Sequence, residues 1–167
     1  MKTILTPTDF SSAGRRAGRE AAKLAHLIGG RLVVVHIVTP PPIIMAGYNP
    51  ILIDIPGITA KLEQASARKL VSLQKSLKKI HAHTIVLQET GIPVEKITNL
   101  ERKLKADYIV IGSHGHTAFF ELLIGSVTSG VLKRAQCPVM VIAPPSPRKK
   151  PAKPVSRRPQ RSNSTHA

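Results

Sequence analysis

The chain has no tryptophan and a single cysteine, Cys137. One cysteine excludes an internal disulfide framework and any all-cysteine metal site within one chain. Aromatic residues are few: Phe10, Tyr48, Tyr108, Phe119 and Phe120. Recognition by base stacking on an aromatic surface is therefore a poor fit. Acids are scarce, with 9 Asp and Glu against 25 Lys and Arg, for a formal net charge of +16. Long apolar runs are missing too. The longest falls far short of the roughly 20 residues that span a bilayer. The N-terminus reaches Asp9 without the apolar segment and small-residue cleavage site of a signal peptide. These absences predict a cytoplasmic protein with a reduced cysteine and no transmembrane segment.

What is present fits one compact domain. The length is 167 residues, and 42% of them are hydrophobic, enough for one core but not two. The charge is unevenly spread. Beyond Ala143 come Arg148, Lys149, Lys150, Lys153, Arg157, Arg158 and Arg161, with six prolines and no acid. Residues 144–167 read as a disordered basic, proline-rich tail. They are either a solvated terminus or a weak electrostatic arm for nucleic acid or an anionic surface, without sequence specificity. Residues 1–143 keep +9.

Those 143 residues alternate between two periodicities. Lys2–Pro7 reads as a strand entering a loop at Thr8-Asp9. Ser11 or Ser12 can cap the following helix, with Ala17, Ala21, Leu24, Ala25 and Ile28 at helical spacing. Arg31–Val38 is almost continuously apolar, the pattern of a strand covered on both faces. Its exception, His36, reads as a packed or hydrogen-bonded strand histidine. The segment 40–58, rich in proline and glycine, predicts a surface loop. Helices are expected over Thr59–Ile80, after Pro93 and over Ser126–Ala135. Further strands are expected over Thr84–Leu87, Ala106–Gly112 and Pro138–Ile142. Five strands separated by helices imply a three-layer αβα sandwich around a parallel, Rossmann-like sheet. Ligands in such sheets bind beyond the carboxyl ends of the strands, so the loops after strands one and four are the place to look.

The second of those loops carries the strongest motif. Gly112-Ser113-His114-Gly115 is followed by ten residues ending at Gly125, then Ser126-Val127-Thr128 and a helix. Glycines allow close backbone approach, and a helix start suits an anion. The same residues also fit a long loop with glycine turns and Ser126 as a cap. No Gly-Lys-Ser/Thr phosphate loop is present, and Gly14 and Gly18 lie in a helical stretch, against a dinucleotide fingerprint.

The sequence resembles the universal stress protein family. The likeness rests on Ile4–Ser11, Val35-His36-Ile37, Ala106–Gly115 and Ala135–Ile142. Its most specific part is the spacing glycine, two residues, glycine, nine residues, glycine, then serine, met by Gly112, Gly115, Gly125 and Ser126. It covers about residues 2–143 and implies an adenine-nucleotide alpha-hydrolase-like fold in an ATP-binding stress or signalling module. By resemblance, Asp9 contacts the nucleoside, and the main chain at Ile37 meets adenine. Gly112 and Gly115 line the nucleotide, while Gly125, Ser126, Val127 and Thr128 surround phosphate. Pro7, Thr8, Ile111 and His114 complete the expected lining. Asp9 alternatively serves as a structural cap on Ser11 or Ser12. The expected ligand is ATP, with AMP or ADP as alternatives and Mg²⁺ as an accompanying ion. Little or no turnover is expected, because few acids lie near the nucleotide loops. Protein interaction without a nucleotide, or polyanion association through the tail, are the competing functions. The resemblance also implies a homodimer paired through the final strand.

Overall fold

The computed structural model describes residues 1–40, 55–113 and 124–143. Nine elements alternate along the chain: β1 (Thr3–Pro7), α1 (Ser12–Leu27), β2 (Arg31–Val38), α2 (Ile55–Lys78), β3 (Thr84–Thr90), α3 (Pro93–Leu104), β4 (Tyr108–Gly112), α4 (Ser126–Arg134) and β5 (Val139–Ile142). The five strands form one sheet in the order β3-β2-β1-β4-β5. Every neighbouring pair is parallel.

Alternation along each strand sends side chains to two buried layers. Ile4, Leu32, Val34 and Val110 face the α1 and α2 side, where they meet Ala17, Ala21, Ala25, Leu70 and Leu77. Leu5, Val33, Val35, Ile109 and Ile111 face the other way, against Ile97 and Leu100 of α3 and Val131 of α4. The sheet is thus the middle layer of an αβα sandwich, as the apolar β2 run predicts. Alanines at four-residue spacing let α1 lie close to the sheet. The approach is tightest at Gly112, where a Cβ would fall 3.0 Å from the Ala13 carbonyl carbon.

Several boundaries differ from the sequence reading, most by one or two residues at element ends, and three differences have a structural reason. Helix α2 begins at Ile55, four residues before Thr59, because Pro56 falls in the first turn, where its missing N–H is no loss. Strand β3 runs on to Thr90 through Gln88 and Glu89, paired with His36 and Ile37 of β2. Its polar end has partners elsewhere: Ser66 Oγ donates to Gln88 Oε1 at 2.8 Å, and Lys96 reaches Glu89 at 3.2 Å. Strand β4 starts at Tyr108 because Asp107 turns its carboxylate back to accept from Thr3 N at 2.7 Å. The expected tail and most of the expected 40–58 loop lie outside the described residues. No described helix is long and apolar enough to cross a membrane.

Strand order reverses between β1 and β4. The chain moves outward from β1 to β3, then crosses to β4 on the opposite side of β1. That switch point opens a crevice at the carboxyl ends of the two strands.

Candidate functional site

The β1–α1 turn forms one wall of the crevice, and its conformation is heavily determined. Thr8 N donates to Val35 O at 2.8 Å, continuing the sheet. Phe10 adopts φ +64°, a left-handed conformation that costs an aromatic residue about 1–3 kcal/mol. It is held there by Thr8 Oγ1, which accepts from Phe10 N at 3.1 Å, and by a tilted ring contact with His36, centroids 4.5 Å apart. Asp9 Oδ1 accepts from Ser11 N at 2.9 Å, and Ser11 Oγ caps α1 by accepting from Gly14 N at 3.0 Å. Ser11 is therefore the cap, and Asp9 does make the turn contact that its structural reading foresees. The carboxylate also lines the crevice.

Gly14 explains how the carboxylate fits. A Cβ there would sit 2.6 Å from Asp9 Oδ1, so the absence of a side chain on α1 leaves room for the acid.

The opposite wall is the start of α4. Its N-cap is Gly125, which has no side chain to offer, and no side-chain bond caps the helix among the described residues. Ser126 occupies the first helical position rather than the cap. The leading amides of a helix lack intrahelical acceptors and sit at the positive end of its dipole. Two bonds anchor this end to the exit of β4: Thr128 Oγ1 donates to Gly112 O at 2.8 Å, and Gly125 N donates to O of the next residue, Ser113, at 2.9 Å. The chain thus leaves β4 and returns to it at the same point.

The cleft between these walls holds about 290 Å³ and is lined by Pro7, Thr8, Asp9, Ile37, Ile111, Gly112, Gly125, Ser126, Val127 and Thr128. These are ten of the twelve residues singled out from the sequence. The other two, His114 and Gly115, lie outside the described residues. Gly14, His36, Thr39, Pro93 and Ile97 also line the cleft and were not singled out. Gly112 carries a second reason for being glycine, its packing on Ala13.

His36 Nδ1 lies 2.8 Å from Thr8 O. A carbonyl can only accept, so Nδ1 carries the proton and the ring fixes the turn that bears Asp9. Burial pushes the imidazole below its usual 6.5, opposed by the Thr8 bond and the Asp9 charge and reinforced by Lys69. The unfolded chain then takes up a proton near pH 6.5 that the folded ring refuses, so this contribution to stability is full above that pH and declines below it. Urea unfolding of the parent and of His36→Gln from pH 8 to 5 should show the parent's advantage shrinking as pH falls. A constant gap would show that His36 does not titrate this way.

Cys137 lies in the link between α4 and β5. Burial, with the neighbouring Glu101 carboxylate, pushes its thiol up to about 11, which suits packing rather than nucleophilic chemistry. No described cluster of His, Cys, Asp and Glu could hold a metal ion.

Fold and cleft together define a doubly wound α/β domain with a cleft at its switch point. A profile of the universal stress protein family matches residues 1–143, and the chain belongs to that family. Universal stress protein MJ0577 of Methanocaldococcus jannaschii is 28% identical over 152 residues, covering 84% of this chain and 94% of that protein. Among solved structures, UspA of Lactobacillus plantarum has a TM-score of 0.74 at 23% identity, covering 84% of this chain and 97% of that one. The universal stress protein of Archaeoglobus fulgidus in complex with dAMP has a TM-score of 0.59 at 26% identity, covering 85% and 97%.

Proposed function

We propose that the cleft binds an adenine nucleotide, with ATP the first candidate and AMP or ADP the alternatives, in a stress-response or signalling module. The observation that carries this reading is the pairing of opposites across one cleft. Asp9 offers a carboxylate at one wall, and the start of α4, with glycine at its cap, offers amides at the other. A carboxylate accepts from ribose hydroxyls, whereas helix-start amides favour phosphate oxygens. Ile37, on the cleft floor at the end of β2, supplies apolar cover and main-chain groups for a base edge. A volume of about 290 Å³ is at the lower end for small-molecule pockets and suits a nucleoside with phosphates leading out over α4. The dAMP complex of the Archaeoglobus relative supports the ligand class.

Binding is favoured over turnover. Asp9 is the single carboxylate lining the described cleft, and its Oδ1 is engaged by Ser11 N. Mg²⁺, where it accompanies ATP, would be held chiefly by the phosphates.

Mass spectrometry of ligand released from purified protein, with calorimetric titration of ATP, tests the reading. Ser126→Ala should weaken ATP binding by about 1 kcal/mol, the scale of one hydrogen bond. Folded protein that releases no nucleotide and gives no heat at millimolar ATP would remove the proposal.

A further inference from the structure

The cationic excess of the folded part is concentrated on one side of the sheet. Helices α1 and α2 carry nine Lys and Arg against two Glu. Helices α3 and α4, on the other side, carry five against two. The two basic helices lie side by side, with Leu77 of α2 close over Gly18 of α1. Both run in the same direction, as crossovers of a parallel sheet must.

Helical periodicity places the excess outward. On α1 the exposed side chains Arg15, Arg19 and Lys23 recur at four-residue steps, opposite the buried Ala17, Ala21 and Ala25. On α2 Lys61, Arg68 and Lys75 are exposed and recur at seven-residue steps, opposite Leu70 and Leu77. Seven residues rise about 10 Å, so the α2 stripe runs about 21 Å along a rigid helix. Of these six cations, only Lys23 has an ion-pair partner among the described residues, Glu20 at 3.0 Å.

Chemistry selects the partner. A duplex presents about one phosphate charge per 1.7 Å of axis, both strands counted, so a length of about 21 Å carries about a dozen, and a stripe docked on one side faces a part of them. Single strands draw affinity from aromatic stacking, and neither outward stripe holds an aromatic residue. The Phe10 ring, beside these helices, is engaged by His36 and by Lys69, whose ammonium lies 5.6 Å from the ring centroid. A membrane-binding helix sets its apolar residues along one face to be buried in lipid. Here cations hold the crest, and the exposed Leu62 and Val71 lie to either side of it.

We propose that the paired outer faces of α1 and α2 form a docking surface for the phosphate backbone of double-stranded nucleic acid, without base specificity. The surface is separate from the nucleotide cleft, and the proposal does not depend on what that cleft binds. It also differs from attraction by the basic tail, because it assigns the contact to ordered helices.

The test uses the full chain and fluorescence anisotropy with a 20-base-pair duplex from about 50 to 200 mM salt. One variant carries Arg19→Glu, Arg68→Glu and Lys75→Glu. The other carries the same change of charge on the opposite side, Lys103→Glu, Lys133→Glu and Arg134→Glu. All six side chains are exposed, and circular dichroism and melting temperature verify that both variants fold. The first variant should lose at least tenfold in affinity at 50 mM salt, and its log–log salt slope should become shallower by about 0.9 for each phosphate that is no longer neutralised. The second should lose no more than a few-fold. Equal losses would show that net charge, not this surface, governs binding and would overturn the proposal. No loss in the first variant would overturn it too, returning any binding to the tail. Binding to vesicles of anionic lipid, with none to the duplex, would reassign the surface to membranes.

Discussion

Glu101→Ala should lower the unfolding free energy by about 3 kcal/mol, read as an earlier urea midpoint with an unchanged slope. Glu101 sits on the inner face of α3 and is 3% exposed. Its Oε1 accepts from the backbone amides of Gln136 at 2.7 Å and Cys137 at 2.8 Å. One carboxylate oxygen therefore satisfies two amides where the chain leaves α4 and enters β5. Truncation would strand both part-buried donors; a fully buried unsatisfied group costs about 1–3 kcal/mol, and two partly screened ones together come to about 3 kcal/mol. Glu101→Leu separates this account from a packing account. Leucine refills the volume but offers no acceptor, so it should be nearly as damaging as alanine. Glu101→Gln keeps the accepting oxygen and should lose less. Recovery of stability in the leucine variant would show that packing, not acceptance, is what Glu101 supplies. A second readout is independent of folding energy. The Glu101 carboxylate helps to raise the Cys137 thiol, so in folded Glu101→Gln the thiol should alkylate faster than in the parent at the same pH.

Glu101 also shows where sequence reading stops. It lies between Leu100 and Leu104 on a helix whose apolar spacing was legible, and it looks there like a solvent-facing acid. Its partners lie 35 and 36 residues further on, and no local pattern announces such a pairing. The strands were legible for the opposite reason. Leu32 to Val38 is apolar on both faces because both faces are covered, and burial of that kind is written into composition. The polar end of β3 escaped because Gln88 and Glu89 find partners on α2 and α3, which only the tertiary fold brings near. Ten residues of the cleft were legible through the family resemblance, which the glycine spacing and the first-strand motif carry, and five others were not. Individual reasons were not legible either. Gly112 stands out in the sequence as a loop glycine, yet its nearest neighbours are atoms of Ala13 in α1. Gly14 reads as an ordinary small residue in a helix, and its relation to Asp9 exists only once the β1–α1 turn has closed.

That relation makes Gly14→Ala the sharper test of the cleft. The new Cβ would lie 2.6 Å from Asp9 Oδ1 and 3.3 Å from Thr8 Oγ1. The helix itself should accept the change. The Gly14 amide still donates to Ser11 Oγ, and alanine is favoured over glycine in helices by up to about 1 kcal/mol. The carboxylate is the movable partner, so it should swing away and surrender its bond from Ser11 N, worth about 1 kcal/mol. Gain and loss nearly offset, and stability should stay within about 1 kcal/mol of the parent. Nucleotide affinity should not. If Asp9 holds the ribose, losing a hydrogen bond to a charged group costs about 1.5–3 kcal/mol, so ATP should bind about ten- to a hundredfold more weakly. Asp9→Ala should weaken binding by a similar factor. The double variant should bind no more weakly than Asp9→Ala alone, because both changes remove the same interaction and their effects cannot add. Additive losses would mean that Gly14 acts on the ligand directly, by close approach of the α1 backbone. Unchanged affinity in a folded Gly14→Ala protein would remove Asp9 from the nucleoside contact and leave it as the cap of the β1–α1 turn.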